Sequence, residues 1–162
     1  MQALATDELL SWSARTHAGW RALFLAHPEA LGFPCDVLGG ETVGDLVLHI
    51  VAAELRYAER LAGLPASAYE SLPRGDAAAL YSTHDRSTAL LRDVLSRTDV
   101  DWEEVLEFQT RSAGVLRATR RTILVHLAMH GIRHYAQLAT IVRQQGVKPD
   151  WGMDYLFMGL VK

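Results

Sequence analysis

The stretch VHLAMHGIRHYAQLATIVRQQG, residues 125–146, decides how the rest of the sequence is interpreted. It contains no proline, ends on a glycine, and its apolar residues recur every three or four positions, which is typical of an amphipathic helix. His126, His130 and His134 follow one another at intervals of four residues, so a helix places them in a row, one turn apart. Three imidazoles in a row beside an apolar stripe indicate ligands for a bound ion.

Only two of these histidines can bind the same metal ion. Residues four apart rise about 6 Å along a helix, so His126 and His134 are separated by about 12 Å. Metal–imidazole bonds of about 2.0–2.1 Å cannot span that distance. The buried stripe of this helix consists of Ile123, Leu124, Leu127, Leu138, Ile141 and Val142. His134 falls within the stripe, His130 at its edge and His126 one step further toward solvent, which favours His130 and His134 as the pair.

A third ligand is expected from another helix, because two imidazoles rarely hold a metal alone. His49 borders the apolar face of the second predicted helix, which contains no other histidine. Asp45, one turn earlier, is a candidate partner for the other ring nitrogen of His49, and Gln137 is a candidate for the same role beside His134. Both have ordinary alternatives. Asp45 fits as the acidic residue of a helix capping box, and Gln137 as a polar residue at the edge of the stripe.

Other residues capable of chemistry occur singly. A lone histidine beside an apolar face is most often a core or boundary residue, so no function is assigned to His17, His27 or His84. Cys35 is the single cysteine, which excludes an internal disulfide and is typical of a reducing compartment.

Length and composition indicate one ordinary globular domain. The 162 residues are enough to bury a core, so we expect a single domain over residues 1–162. A net charge of −3 gives no basic surface for nucleic acid. No run approaches the roughly 18 apolar residues that a membrane span requires, and the N-terminal segment lacks the pattern of a secretion signal. We therefore expect a cytoplasmic protein that binds neither nucleic acid nor membranes.

The apolar periodicity predicts four long helices, which cover about residues 6–27, 42–63, 76–97 and 119–145. Thr42 and Thr119 fit as N-caps, and Gly146 fits as the stop of the last long helix. The stretch EVLEFQTRSAGVL, within residues 98–118, is predicted to hold a short hairpin, and the aromatic tail a short helix. The predicted fold class is all-α, a four-helix bundle with a short C-terminal helical segment.

The order of these motifs resembles that of the DinB/YfiT-like superfamily of bacterial metal-binding four-helix bundles. In that superfamily one histidine of the second helix and two histidines, four apart, of the fourth helix hold the metal. The fourth-helix motif commonly reads HxxNHxxxHRGQL, and the corresponding stretch here is HLAMHGIRHYAQL. The resemblance spans nearly the whole chain in helix order. It implies His49, His130 and His134 as the metal ligands, the set that spacing also favours.

Some positions depart from the family motif. Met129 stands where the family has asparagine, and Tyr135 and Ala136 stand where it has arginine and glycine. If those polar residues bind substrate in the family, the substrate or the strength of the activity differs here. Arg56 and Arg60 follow His49 on the second helix and would attract an anionic thiol or substrate, although we interpret them first as solvated surface charges.

The resemblance also implies a chemistry. Three neutral histidines leave a coordination position open and do not neutralise the ion, which is the arrangement of a catalytic site. One divalent ion is expected: zinc fits best, and nickel, iron and cobalt also accept imidazole. Some relatives are thiol-dependent transferases or isomerases, which implies a small-molecule substrate and a low-molecular-weight thiol such as bacillithiol or mycothiol.

Two alternatives to a thiol transferase stay open, together with an expectation about assembly. One alternative is a metal-dependent hydrolase, and the other is a non-catalytic, stress-induced bundle that binds metal. A roomy cleft at the site would favour an enzyme, whereas a ligand position filled by the chain's own side chain would favour the non-catalytic protein. The aromatic tail DWGMDYLFMGLVK and the habit of the family lead us to expect a homodimer.

Overall fold

The computed structural model describes residues 6–37 and 40–158, which are mostly helical. The helices are α1 (Thr6–Ala26), α2 (Val43–Leu61), α3 (Ala77–Ser96), α4 (Arg120–Gln144) and the short α5 (Tyr155–Met158). Two antiparallel sheets pair β1 (Pro34–Val37) with β2 (Gly40–Thr42) and β3 (Val105–Gln109) with β4 (Val115–Thr119). Single 3₁₀ turns cover Pro28–Gly32 and Tyr69–Ser71. No helix within these described ranges is both long enough and apolar enough to cross a bilayer.

The four long helices begin and end near the residues that the sequence predicts. Thr42 and Asp45 form a reciprocal capping box at the start of α2, and Thr119 accepts a hydrogen bond from the backbone of Thr122 at the start of α4. Gly146 adopts a φ of 86° just after α4, a left-handed conformation that favours glycine. The predicted helical class is therefore confirmed. Two small sheets accompany the helices, and one of them is the predicted hairpin.

The hydrophobic core lies between the long helices. Helix α2 is buried along most of its length and packs against α3 and α4, while α1 packs against the same two helices. Trp20, Tyr81 and Leu138 come from three different helices, and each is almost completely buried. Because α2 is central, polar side chains on its surface lie between neighbouring helices rather than in bulk water.

The hairpin of β3 and β4 was predicted from sequence, and it covers one end of the helices. Its register runs from Val105 opposite Thr119 to Gln109 opposite Val115. Leu106 and Phe108 pack against a second apolar cluster formed by α2, α3 and α4. The turn, residues 110–114, is thereby held beside α2. Sheet β1–β2 was not predicted, since its residues lie in a segment interpreted as loop.

The C-terminal segment contacts α1. The ring of Trp151 lies directly over Gly19, where any Cβ would come within 2.4 Å of the indole. Trp151 also packs edge-on against Trp20, with ring centroids 5.3 Å apart. The predicted short helix is present as α5, but Leu156 and Phe157 within it are exposed. This segment therefore docks through Trp151 rather than through α5 alone.

Candidate metal centre

Helices α2 and α4 bring His49, His130 and His134 together. One ring nitrogen of each lies within 4.8 Å of those of the other two. The Nε2 atoms of His49 and His130 are 3.1 Å apart. Buried positions hold the rings in place: His134 is 1% exposed and His130 8% exposed, while His49 is half-buried. The structure thus places the three residues as sequence reasoning expected, and we refer to them as the triad.

The orientation of the triad rings fits a shared ion. Their centroids are 4.5 to 4.9 Å apart, and the ring planes make angles of 52°, 87° and 64° with one another. Rings at these angles are not stacked, and one nitrogen of each is close enough to those of the other two to share an ion. The donor set therefore fits a divalent ion that accepts imidazole nitrogen.

Burial keeps the triad neutral. Desolvation lowers the pKa of His49 to about 4, with further lowering by the neighbouring His134 and by the charges of Arg111 and Arg133. Desolvation and the same kind of neighbours lower the pKa of His130 to about 3. The imidazoles are then unprotonated at neutral pH, and no proton has to leave before a metal ion binds.

Gln137 fixes the tautomer of His134. Its Oε1 lies 2.6 Å from Nδ1 of His134 and accepts a hydrogen bond from that nitrogen, so the lone pair is on Nε2. Arg133 donates to this Nε2 from its Nη2 at 3.0 Å. A guanidinium is not a metal ligand, so Arg133 and an ion compete for one lone pair. For an ion to bind there, Arg133, which also lines the cleft described below, would have to release this contact.

Asp45 does not act on His49. Its Oδ2 instead accepts hydrogen bonds from the backbone nitrogens of Glu41 and Thr42 and from the Thr42 hydroxyl. These contacts belong to the capping box, which was the alternative considered for this residue. The carboxylate is occupied by the end of the helix, so it is not available to orient the imidazole one turn away.

His126 remains outside the triad, as its position along the helix predicts. It is exposed, and its ring centroid lies 5.4 Å from that of His130. It packs edge-on against Tyr57 of α2, with centroids 5.0 Å apart. His126 therefore forms part of the wall beside the triad.

A second polar cluster, which sequence reasoning missed, joins α1, α2 and α3. Glu54 is buried, with Oε1 2.8 Å from Nε2 of His17 and Oε2 3.0 Å from Nδ1 of His84. The two imidazoles are stacked, 3.5 Å between centroids and 10° between planes. The three residues come from different helices, so no spacing links them. In the sequence, this cluster is indicated only by the carboxylate of Glu54 on the apolar face of α2.

This second cluster fits an ion pair better than a metal site. His17 Nδ1 donates to the carbonyl of Ser13 at 2.7 Å, which leaves Nε2 to face the carboxylate. Each of the two imidazoles brings one nitrogen to a different oxygen of Glu54. Burial alone would raise the pKa of Glu54, but the charge of His17 and hydrogen bonds from His17 and His84 lower it to about 2.

A cleft of about 320 Å³ opens beside the triad. Its walls come from α2, α4 and the β3–β4 turn, and they include His49 and His130. Three residues that depart from the family motif lie elsewhere. Met129 and Ala136 are exposed and outside the cleft lining, and Tyr135 stacks on Trp20 in the core. None of these three residues therefore contributes to the walls of the cleft.

Comparison with known proteins agrees with this arrangement. A search of the curated proteins found no match. The sequence model of the DinB family matches residues 35–159, which include all three triad histidines and the hairpin. Because this match covers most of the 162 residues, the chain belongs to the DinB family.

Proposed function

We propose that this protein is a metal-dependent enzyme that joins a low-molecular-weight thiol to a small electrophilic substrate. One divalent ion, zinc in the first instance, is held by His49, His130 and His134, within a four-helix-bundle fold of the DinB/YfiT type. The observation that carries the proposal is the cleft of about 320 Å³ beside the triad. Its size lies at the lower end of the range for small-molecule sites, and a purely structural metal centre needs no such space.

The ion would supply Lewis acidity at the end of this cleft and favour the thiolate form of a thiol bound there. In the reaction the thiol loses its proton to solvent water, and its sulfur forms a bond to the electrophilic carbon. The leaving group departs from that carbon with the bonding electron pair. The chain's part is to hold neutral imidazoles in place, to bind both reactants in the cleft and to limit access of water.

The walls of the cleft favour a thiol over water as the nucleophile. They contain no aspartate or glutamate among the described residues, so a hydrolase would lack a carboxylate general base. A thiol, with a pKa of about 8.5, ionises near neutral pH without a dedicated carboxylate base. Hydrolysis is therefore the weaker alternative.

One contact favours a second candidate, a metal-binding protein without turnover. Arg133 donates to Nε2 of His134, so a side chain of the protein itself occupies one ligand atom. If the arginine stayed at the site after metal binding, it would obstruct the approach of a substrate. The two candidates differ in whether the metal-loaded protein conjugates thiols.

Metal content tests the ligand set first. Protein purified without added metal should contain about one divalent ion per chain, and His130→Ala should abolish this content. His126→Ala is the matched control, because it removes an imidazole from the same helix outside the triad. Equal loss of metal in both variants would contradict the assignment.

Turnover is tested separately. The metal-loaded protein should conjugate bacillithiol, mycothiol or glutathione to an electrophile such as monochlorobimane faster than the His130→Ala variant does. Stoichiometric metal without any thiol conjugation would favour the non-catalytic candidate. Conjugation that persists in the His130→Ala variant would show that the triad takes no part in the reaction.

A further inference from the structure

We propose that the cleft binds its small-molecule substrate through a carboxylate or phosphate group, which is held by Arg56, Arg111 and Arg133. We call these three residues the anion subsite. The inference rests on the proposed function, because it assumes that a substrate enters this cleft. Binding of an anion by guanidinium groups, however, can be measured without turnover and without a change in metal content.

The cleft concentrates positive charge from three elements. Arg56 and Arg60 belong to α2, Arg133 to α4, and Arg111 to the turn between β3 and β4. No acidic residue of the described chain lies on the same walls. Charges of one sign around a concave surface reinforce one another and attract ligands of the opposite sign. The chain as a whole has a net charge of −3, so the positive charge of this cleft is a local feature.

The arginines of the cleft lack the acidic partners that many other arginines have. Within the described ranges but outside the cleft, ion pairs join carboxylates to Arg21, Arg86, Arg97, Arg117, Arg120 and Arg121. Among the described residues, no carboxylate lies within ion-pair distance of the anion subsite. The Nε of Arg56 is buried without a hydrogen-bond partner, which is costly unless a ligand supplies an acceptor. Arg56 and Arg60 therefore differ from the solvated surface arginines that the sequence led us to expect.

Arg111 is held in position by an aromatic ring rather than by a carboxylate. Its guanidinium carbon lies 3.8 Å from the ring centroid of Tyr69, a cation–π contact with one face. The N–H groups at the edge of the guanidinium remain available to a planar oxyanion, which arginine binds through two parallel hydrogen bonds. Arg111 also lines the same cleft as His49 and His130 of the triad. An anion on Arg111 therefore lies near the metal ligands.

Arg60 has another role in the same wall. It donates to the backbone oxygens of Arg56 and Gln109, at 2.9 Å in each case. Its guanidinium also packs on the rings of Tyr57 and Phe108. Arg60 thus fastens the end of β3 to α2 and positions the turn that carries Arg111. We class it as a positioning residue and leave it out of the anion subsite.

Calorimetric titration of the zinc-loaded protein tests the subsite. The probes are succinate and glycerol 3-phosphate, each compared with a neutral counterpart, succinamide or glycerol. At least one anion should bind and the neutral molecules should not, and the tighter anion identifies a carboxylate or a phosphate as the recognised group. Arg111→Gln should weaken anion binding about tenfold or more, the loss expected for a hydrogen bond to a charged group.

Arg117→Gln is the matched control, because Arg117 lies on β4 of the same hairpin, outside the cleft, and pairs with Glu107. It should leave anion binding unchanged, and both variants should keep stoichiometric zinc. Absence of anion binding to the wild type, or equal affinities in the wild type and Arg111→Gln, would overturn the proposal. So would equal losses in both variants, or loss of zinc from Arg111→Gln. Failure of the metal site appears instead as loss of zinc from the wild type.

Discussion

Gln137 and Asp45 each lie one turn from a triad histidine, yet only Gln137 contacts it. Since the Gln137 amide fixes the tautomer of His134 at 2.6 Å, we expect Gln137→Ala to weaken zinc binding about 10- to 100-fold. Competition with a zinc chelator of known affinity measures this change. Asp45→Ala is the matched control: it should leave zinc affinity unchanged and lower the free energy of unfolding by about 1 kcal/mol, as loss of a helix cap does. The reverse pattern would show that the carboxylate, not the amide, orients a ligand.

Glu54 sets a pH dependence of stability. Its pKa is about 2 in the folded protein, because His17 and His84 oppose the effect of burial, and about 4.3 in an unfolded chain. A depressed folded pKa means that the ionised carboxylate stabilises the fold above the unfolded pKa. This contribution is lost as the pH falls from about 4.3 toward 2, and by the linkage relation it amounts to about 3 kcal/mol.

The Glu54→Gln variant tests this linkage. Chemical denaturation at pH 6 should show a loss of about 3–5 kcal/mol, since the variant leaves His17 buried without its counter-charge. The difference in the free energy of unfolding between variant and wild type should shrink as the pH falls below about 4.3. Both proteins contain the triad, so the effect of its titration cancels in this difference. Glu107→Gln, at an exposed ion pair, should cost less than about 1 kcal/mol. A difference that stays constant between pH 6 and pH 3 would contradict the assignment.

Helix α4 shows which elements a sequence specifies by itself. Its apolar spacing, the cap at Thr119 and the glycine at 146 all lie within one continuous stretch, and the observed helix follows them. The positions of His130 and His134 could be deduced for the same reason, since a helix fixes the geometry of residues four apart. The placement of His49 against them required the additional expectation that two helices pack side by side.

The elements that escaped prediction depend on contacts between distant segments. Sheet β1–β2 contains only seven residues in two strands, within a stretch of sequence rich in glycine and proline, which is too little for an alternating pattern to be recognised. The cluster of Glu54 joins side chains from α1, α2 and α3, so sequence spacing carries no information about it. The anion subsite likewise becomes visible only when the hairpin turn places Arg111 opposite two helices. Local patterns predict elements, whereas sites made of several elements require the fold.

At the scale of the whole molecule, the exposed apolar face of α5 suggests self-association. Tyr155, Leu156 and Phe157 of α5 are 43%, 67% and 62% exposed, and Tyr155 adjoins Trp12 of α1. We expect this surface to form a homodimer interface, so light scattering should give twice the 18.0 kDa mass of the chain. Leu156→Glu should shift the mass toward the monomer, whereas Leu64→Glu, at an exposed leucine of the loop after α2, should not. A wild type that scatters as a monomer at micromolar concentration would contradict the expectation.

The apolar core determines what a metal ion can do for the stability of the whole molecule. Small zinc domains unfold without metal because they have little core, whereas the core here extends over four helices. The apo protein should therefore be helical by circular dichroism and melt cooperatively. Because the triad joins α2 and α4 only in the native state, zinc at a hundredfold excess over its dissociation constant should add about 2.7 kcal/mol. That increment raises the midpoint of thermal unfolding by about 5–10 °C for a chain of this size. His130→Ala should melt close to the apo wild type and should not respond to zinc. An apo form without helical dichroism would show that the ion is structural, and the proposal of an enzyme would then lose its main support.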